Sequence, residues 1–156
     1  MTMVRILLVE DDPNKAAQVE GLLEVIVPNS TIERAESYRS GLKRALTEDF
    51  DLLCVDMTLP TYDPGADELG GRFRAYGGKH LIAELKRKRR RARVVVVTQF
   101  ETFGDGDDSK SLTQLKAELL EEFPEHYLGT VFYQAATAGW REELKRLVTQ
   151  SMDGGE

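Results

Sequence analysis

Three aspartates fall at the ends of apolar runs. Asp11 and Asp12 follow Val4-Arg5-Ile6-Leu7-Leu8-Val9, and Asp56 follows Leu52-Leu53-Cys54-Val55. If both runs are buried parallel strands, the three carboxylates meet at one edge of a sheet. Carboxylates that close repel and resist joint ionisation. The arrangement makes chemical sense around a divalent cation, with one carboxylate left to react. Thr98 closes another such run, Arg93-Val94-Val95-Val96-Val97, and adds a hydroxyl to the same edge.

The elements that must position these groups alternate along the chain. Residues 4–9 are rich in β-branched types and read as a buried strand. Asp12-Pro13 then reads as a helix start, an N-cap before a proline at the first helical position. Ala16, Ala17, Val19, Leu22, Leu23 and Ile26 make its apolar face, and Pro28-Asn29 ends it. A weaker strand over Thr31–Ala35 and a helix capped by Ser37 follow, then a strand from Phe50 to Val55. Residues 60–78 hold Pro60, Pro64, Gly65, Gly70, Gly71, Gly77 and Gly78 and should form no long element. A helix over Lys79–Arg90 and the strand Arg93–Thr98 come next. After a Gly/Asp loop at Phe103–Asp108, Ser111 and Gln114 form a capping box for a helix through Glu122. The last strand is expected over Leu128–Gln134 and the last helix over Ala138–Ser151, with Trp140 in the core.

Five β–α units with right-handed crossovers make an α/β fold: a five-stranded parallel sheet with helices on both faces. The expected organisation is one domain over residues 4–151 and a flexible tail over 152–156. In such sheets ligands bind at the carboxyl ends of the strands, where Asp11, Asp12, Asp56 and Thr98 all fall.

Composition narrows the partners. The net charge of −6 argues against general nucleic-acid binding. Seven of the 21 basic residues crowd into Lys86–Arg93, leaving 14 against 27 acidic residues elsewhere. That run suits a helix C-terminus, where cations meet the negative end of the dipole; an acidic protein partner or nucleic acid is the alternative. No apolar stretch approaches the ~20 residues needed to span a bilayer. The single cysteine, Cys54, cannot form an intrachain disulfide, which favours a reducing, cytoplasmic setting. His80 and His126 have no cysteine or carboxylate at zinc-ligand spacing.

Val9-Glu10-Asp11-Asp12-Pro13, Val55-Asp56-Met57-Thr58-Leu59-Pro60 and Val97-Thr98 together resemble the receiver domain of two-component response regulators, over nearly the whole chain. The resemblance implies a flavodoxin-like strand order and a phosphoryl group accepted on Asp56 from a histidine kinase or phosphotransfer protein. It implies Mg²⁺ held by Asp11, Asp12, Asp56 and the backbone carbonyl of Met57, and a Thr98 hydroxyl that bonds the phosphoryl group and turns inward on activation. It further implies signalling through an effector protein or a homodimer rather than enzymatic turnover, any autophosphatase activity being weak. A carboxylate nucleophile forming an acyl phosphate beside a metal ion is sound chemistry for these residues.

One departure bears on that role. Receivers carry a lysine, then a proline, at the end of the fifth strand; here the stretch is Val131-Phe132-Tyr133-Gln134-Ala135-Ala136, with no lysine between Lys116 and Lys145. Gln134 offers a hydrogen bond there without a charge. The segments 61–78 and 100–111 are also longer than receivers usually have. These features keep a second function in view, a pseudo-receiver that binds partners independently of phosphorylation. A third, a phosphohydrolase of the haloacid-dehalogenase type, wants a second aspartate two residues after the first, where Thr58 stands.

Overall fold

A computed structural model of the chain describes residues 3–63 and 72–153. The expected glycines and prolines at 64, 65, 70 and 71 lie outside the described residues. The chain runs β1 (Val4–Val9), α1 (Pro13–Ile26), β2 (Ser30–Ala35), α2 (Tyr38–Thr47), β3 (Leu52–Val55), β4 (Leu59–Pro60), β5 (Phe73–Arg74) and α3 (Gly77–Arg87). It continues through β6 (Arg93–Thr98), β7 (Thr102–Phe103), a 3₁₀ turn (Gly106–Asp108), β8 (Lys110–Ser111), α4 (Leu112–Glu122), β9 (Tyr127–Phe132) and α5 (Gly139–Asp153).

Five strands form one parallel sheet in the order β2-β1-β3-β6-β9. This is the expected α/β architecture with flavodoxin-like order. Side chains alternate along each strand, so the sheet has two cores. On one face Ile6, Leu8, Cys54, Val95 and Val97 meet α1 and α5 through Leu23, Trp140, Leu144 and Val148. On the other, Leu7, Val9, Leu53, Val55, Val94 and Val96 meet α2, α3 and α4 through Ala45, Leu81, Leu85, Leu115 and Leu119. The Cys54 thiol is fully buried, and burial pushes its pKa up to about 12, so it is chemically quiet.

The local signals act as physics requires. Asp12 accepts from the backbone N–H groups of Asn14 (2.9 Å) and Lys15 (3.4 Å) and caps α1 ahead of Pro13. Ser37 and Ser111 each form reciprocal capping boxes.

Several boundaries differ from expectation. The helix after the first insertion begins at Gly77 and ends at Arg87, because Arg89 turns to φ 56 and cannot continue it. β9 ends at Phe132 rather than at Gln134. Met152 and Asp153 prolong α5 rather than beginning a tail.

The two long segments are not plain loops. β4 and β5 pair antiparallel, Leu59 opposite Arg74 and Pro60 opposite Phe73. β7 and β8 do the same, Thr102 opposite Ser111 and Phe103 opposite Lys110. Two short ribbons thus stand after β3 and β6, next to the carboxyl ends of those strands.

Candidate functional site

β1 and β3 are neighbours in parallel register, Val9 opposite Val55, so the residues that follow them emerge side by side. The chain leaves β1 toward β2 on one side and has β3 on the other, which makes this gap the switch point of the sheet. Glu10, Asp11 and Asp56 each offer a carboxylate oxygen within 4.8 Å of the others. Glu10 and Asp56 are buried, while Asp11 is partly open. They line a cavity of about 250 Å³ together with Asp12, Thr58, Phe73, Gln99 and Phe100.

The pair emerging from β1 is therefore Glu10 and Asp11, one residue earlier than the expected Asp11 and Asp12. Asp12 lies at the cavity wall, but its carboxylate is engaged by the first turn of α1. Met57, whose backbone carbonyl is the expected fourth ligand, is not among the residues lining the cavity. Its side chain is fully buried and its carbonyl accepts the Gly78 N–H at 2.9 Å, while Thr58 faces the cavity. Asp56 Oδ1 accepts the Met57 N–H at 2.7 Å, which fixes the carboxylate's orientation.

Sequence reasoning missed Lys15. Its ammonium is buried and donates in three directions: to Glu10 Oε1 at 2.7 Å, to Asp56 Oδ2 at 3.1 Å and to the Val97 carbonyl at 2.8 Å. An ammonium has three donors, and here each has a partner. A signal for it exists in the sequence. Lys15, Val19 and Leu23 are spaced by four, so a lysine heads the stripe of α1 that faces the sheet.

Thr98 is fully buried at the end of β6, its hydroxyl accepting from the Phe100 N–H at 3.2 Å and its carbonyl accepting from the Tyr133 N–H at 2.7 Å. Gln134 is exposed beyond β9, whereas Tyr133 is buried there with its ring 4.8 Å from that of Trp140. The Lys15 ammonium lies 5.8 Å from the centre of the Tyr133 ring. Just past the last strand stands an aromatic ring near Lys15, and the first helix carries that ammonium.

Electrostatics follow from burial. Loss of water, with the Asp56 charge beside it, pushes the Glu10 carboxyl up to about 7 despite the Lys15 ion pair. Burial also raises Asp56, against the opposing pull of Lys15 and of the Met57 N–H. With all three carboxylates ionised, the pocket would carry three negative charges against the one ammonium of Lys15. A small divalent cation with oxygen preference neutralises that charge, so the donor set fits Mg²⁺.

The remaining candidates have structural work elsewhere. The basic run lies at the opposite end of the sheet. Arg90 donates to the Glu48 carbonyl and to Asp49, both at 2.8–2.9 Å, and Lys86 donates to the Glu122 carbonyl at 2.9 Å. Glu48, Asp49, Asp51 and Arg89–Arg91 line a cavity there of about 450 Å³. His126 Nε2 is bonded to the Arg90 carbonyl, and His80 stands edge-on to Tyr38, so neither belongs to a metal cluster among the described residues. No helix among the described residues is long and apolar enough to cross a membrane.

No family model matches the chain. It is 30% identical over 144 residues to the uncharacterized protein y4jR of Sinorhizobium fredii, covering 91% of this chain and 95% of the relative. It is 27% identical over 150 residues to the Detocs response regulatory protein DtcB of Enterobacter cloacae, covering 94% and 99%. Its fold matches a solved CheY-like response regulator receiver domain from Methanospirillum hungatei with a TM-score of 0.64, at 19% identity, covering 97% of this chain and 96% of the other.

Proposed function

We propose that the chain, which has the fold of CheY-like receiver domains and is similar to a response regulatory protein, accepts a phosphoryl group on Asp56. The donor is a histidine kinase or a phosphotransfer protein, and the output is a protein–protein contact with an effector or a second copy. The observation that carries this reading is the carboxylate cluster at the switch point, Glu10, Asp11 and Asp56, with an oxygen of each within 4.8 Å of the others.

Each residue has a task in this reading. Asp56 is the nucleophile, its carboxylate held in one orientation by the Met57 N–H. Glu10, Asp11 and Asp56 hold Mg²⁺, which when bound neutralises charge on the transferring phosphoryl group. Thr98 sits at the end of β6 with its hydroxyl oxygen accepting from the Phe100 N–H, which leaves its O–H proton to donate to a phosphoryl oxygen. Phe73 and Phe100, one from each insertion, flank the opening through which a donor must reach Asp56. The carboxylate is consumed stoichiometrically, which makes the chain a signalling module and not an enzyme in this reading.

A partner-binding module that works without phosphorylation is the second reading. One observation favours it: Lys15 already neutralises Asp56. Incubation with acetyl phosphate and Mg²⁺, followed by intact mass spectrometry, separates the two. The phosphoacceptor reading expects a single acid-stable, base-labile phosphoryl adduct that Asp56→Asn abolishes. An unmodified wild-type chain under those conditions would sink it and leave the binding-module reading standing.

A further inference from the structure

Lys15 heads a helix stripe whose next members are Val19 and Leu23. Packing alone asks for an apolar residue at its place. A buried ion pair is weak support for stability, since replacing it with well-packed apolar groups is often neutral or favourable. The charge at Lys15 therefore calls for a reason other than the core. It lies where the reacting oxygen is. Asp56 Oδ1 is occupied by the Met57 N–H, and Lys15 stands at Oδ2.

We propose that Lys15 is the cation that contacts the phosphoryl group in this site, and that before transfer it competes with Mg²⁺ for the same carboxylates. The inference rests on Asp56 being the acceptor. In the transfer an Asp56 oxygen attacks phosphorus, the new O–P bond forms, and the donor's P–N bond (or the P–O bond of acetyl phosphate) breaks with its electron pair leaving on the donor. The carboxylate carries one negative charge and the acyl phosphate carries two. The pocket thus gains a negative charge on the atoms next to the ammonium. Tyr133 fills the end of β9 with a ring packed on Trp140, so the last strand offers no cation of its own. The same ammonium binds Glu10 and Asp56, both candidate metal ligands, and so holds them against the metal until it is drawn off. Its third bond, to the Val97 carbonyl, joins this exchange to the backbone just before Thr98.

The two roles make opposite predictions for one substitution. In Lys15→Met, Mg²⁺ alone should bind at least ~3-fold more tightly by calorimetry, since an ammonium competitor worth about one charge-assisted hydrogen bond is gone. Beryllofluoride with Mg²⁺, a phosphoryl mimic read by the fluorescence of Trp140, should bind at least ~10-fold more weakly, since the stabilising contact to its anionic fluorines is lost. Lys15→Arg, which keeps the charge, should recover most of the beryllofluoride affinity. A purely structural lysine would lower both affinities together or neither, and either result overturns the proposal. In wild-type protein labelled with ¹⁵N-lysine, the Lys15 ammonium resonance should shift on adding beryllofluoride and Mg²⁺; an unmoved signal overturns the proposal without reliance on any variant. If Asp56→Asn bound beryllofluoride as wild type does, the reading of Asp56 would itself fall, an outcome distinct from an unaltered Lys15→Met.

Discussion

The Tyr76 hydroxyl lies 2.7 Å from the Asp108 carbonyl oxygen and 3.0 Å from that of Phe103, and so fastens the first insertion to the second. Gly104 makes the approach possible: it holds φ 76, and a Cβ there would come within 2.6 Å of that hydroxyl. The two ribbons beside the pocket are therefore one mechanical unit. Tyr76→Phe keeps the ring and removes the bond, at an expected cost of about 1 kcal/mol. Amide exchange over residues 102–111 should quicken while that of β1 and β3 stays unchanged. Hydrogen-exchange mass spectrometry checks this, and uniform acceleration would contradict it.

The raised Glu10 carboxyl makes the pocket sensitive to pH. Its folded value of about 7 lies above the ordinary 4.5, so the folded chain holds a proton there that the unfolded chain releases. Its contribution to stability is fully present below 4.5 and is lost as pH rises through 7. Without metal, the melting temperature should fall between pH 5 and 8 by more than it does in Glu10→Gln. Mg²⁺ displaces the proton, so its affinity should rise over the same range. Calorimetry in buffers of different ionisation enthalpy counts the proton released.

Asp56 is raised by burial, so its ionised form is disfavoured in the folded chain. An amide of the same shape still accepts the Met57 N–H and removes one like charge beside Glu10, a gain set against the Oδ2 partner that Lys15 loses. Asp56→Asn should raise the metal-free stability at pH 8 by about 1 kcal/mol, within the usual range for relieving a buried charge. It should also lower the Glu10 titration toward its ordinary value. Urea denaturation and carboxyl-carbon NMR measure the two effects, and a less stable variant would count against the reading.

Asp12 and Asp11 separate capping from metal binding. Asp12→Ala removes the cap of α1 and should cost about 1 kcal/mol. Asp11→Ala leaves the cap intact and should weaken Mg²⁺ at least ~10-fold, the loss expected for one ligand among three. Thermal melts and Mg²⁺ titrations on both variants decide the assignment. The opposite pattern would restore Asp12 to the metal site.

Gly78 carries the junction between β3 and α3. A Cβ at that position would meet the Asp56 carbonyl oxygen at 2.7 Å and the Met57 Cα at 3.1 Å, both backbone atoms with no room to turn aside. Gly78→Ala should destabilise the chain by about 2 kcal/mol through overpacking. It should also weaken Mg²⁺, because the carboxylate of Asp56 moves with its backbone. A melt as stable as wild type would refute the close approach.

Much of this was open to reading along the chain because it is local. A strand buried on both faces must be apolar nearly throughout, and Leu52–Val55 and Val94–Val97 are. Caps declare themselves within four residues, as Asp12-Pro13 and Ser111…Gln114 do. Acids at strand ends come side by side once parallel order is granted, which is how Asp11 and Asp56 meet. The insertions were harder. Two-residue strands such as Leu59–Pro60 and Phe73–Arg74 have too few positions for any alternation to register.

What the sequence determined by itself was the order of elements and the gathering of carboxylates at one sheet edge, since hydrophobic periodicity and turn chemistry act between near neighbours. What only the tertiary structure decided was which charges meet. Lys15 reaches Asp56 because α1 crosses the sheet with its 15–19–23 stripe inward. The same crossing engages Asp12 with the first turn of the helix and sets Glu10 and Asp11 beside Asp56. Electrostatic partners are chosen by distances of a few ångströms between elements remote in sequence, and those distances exist only once the helices have packed.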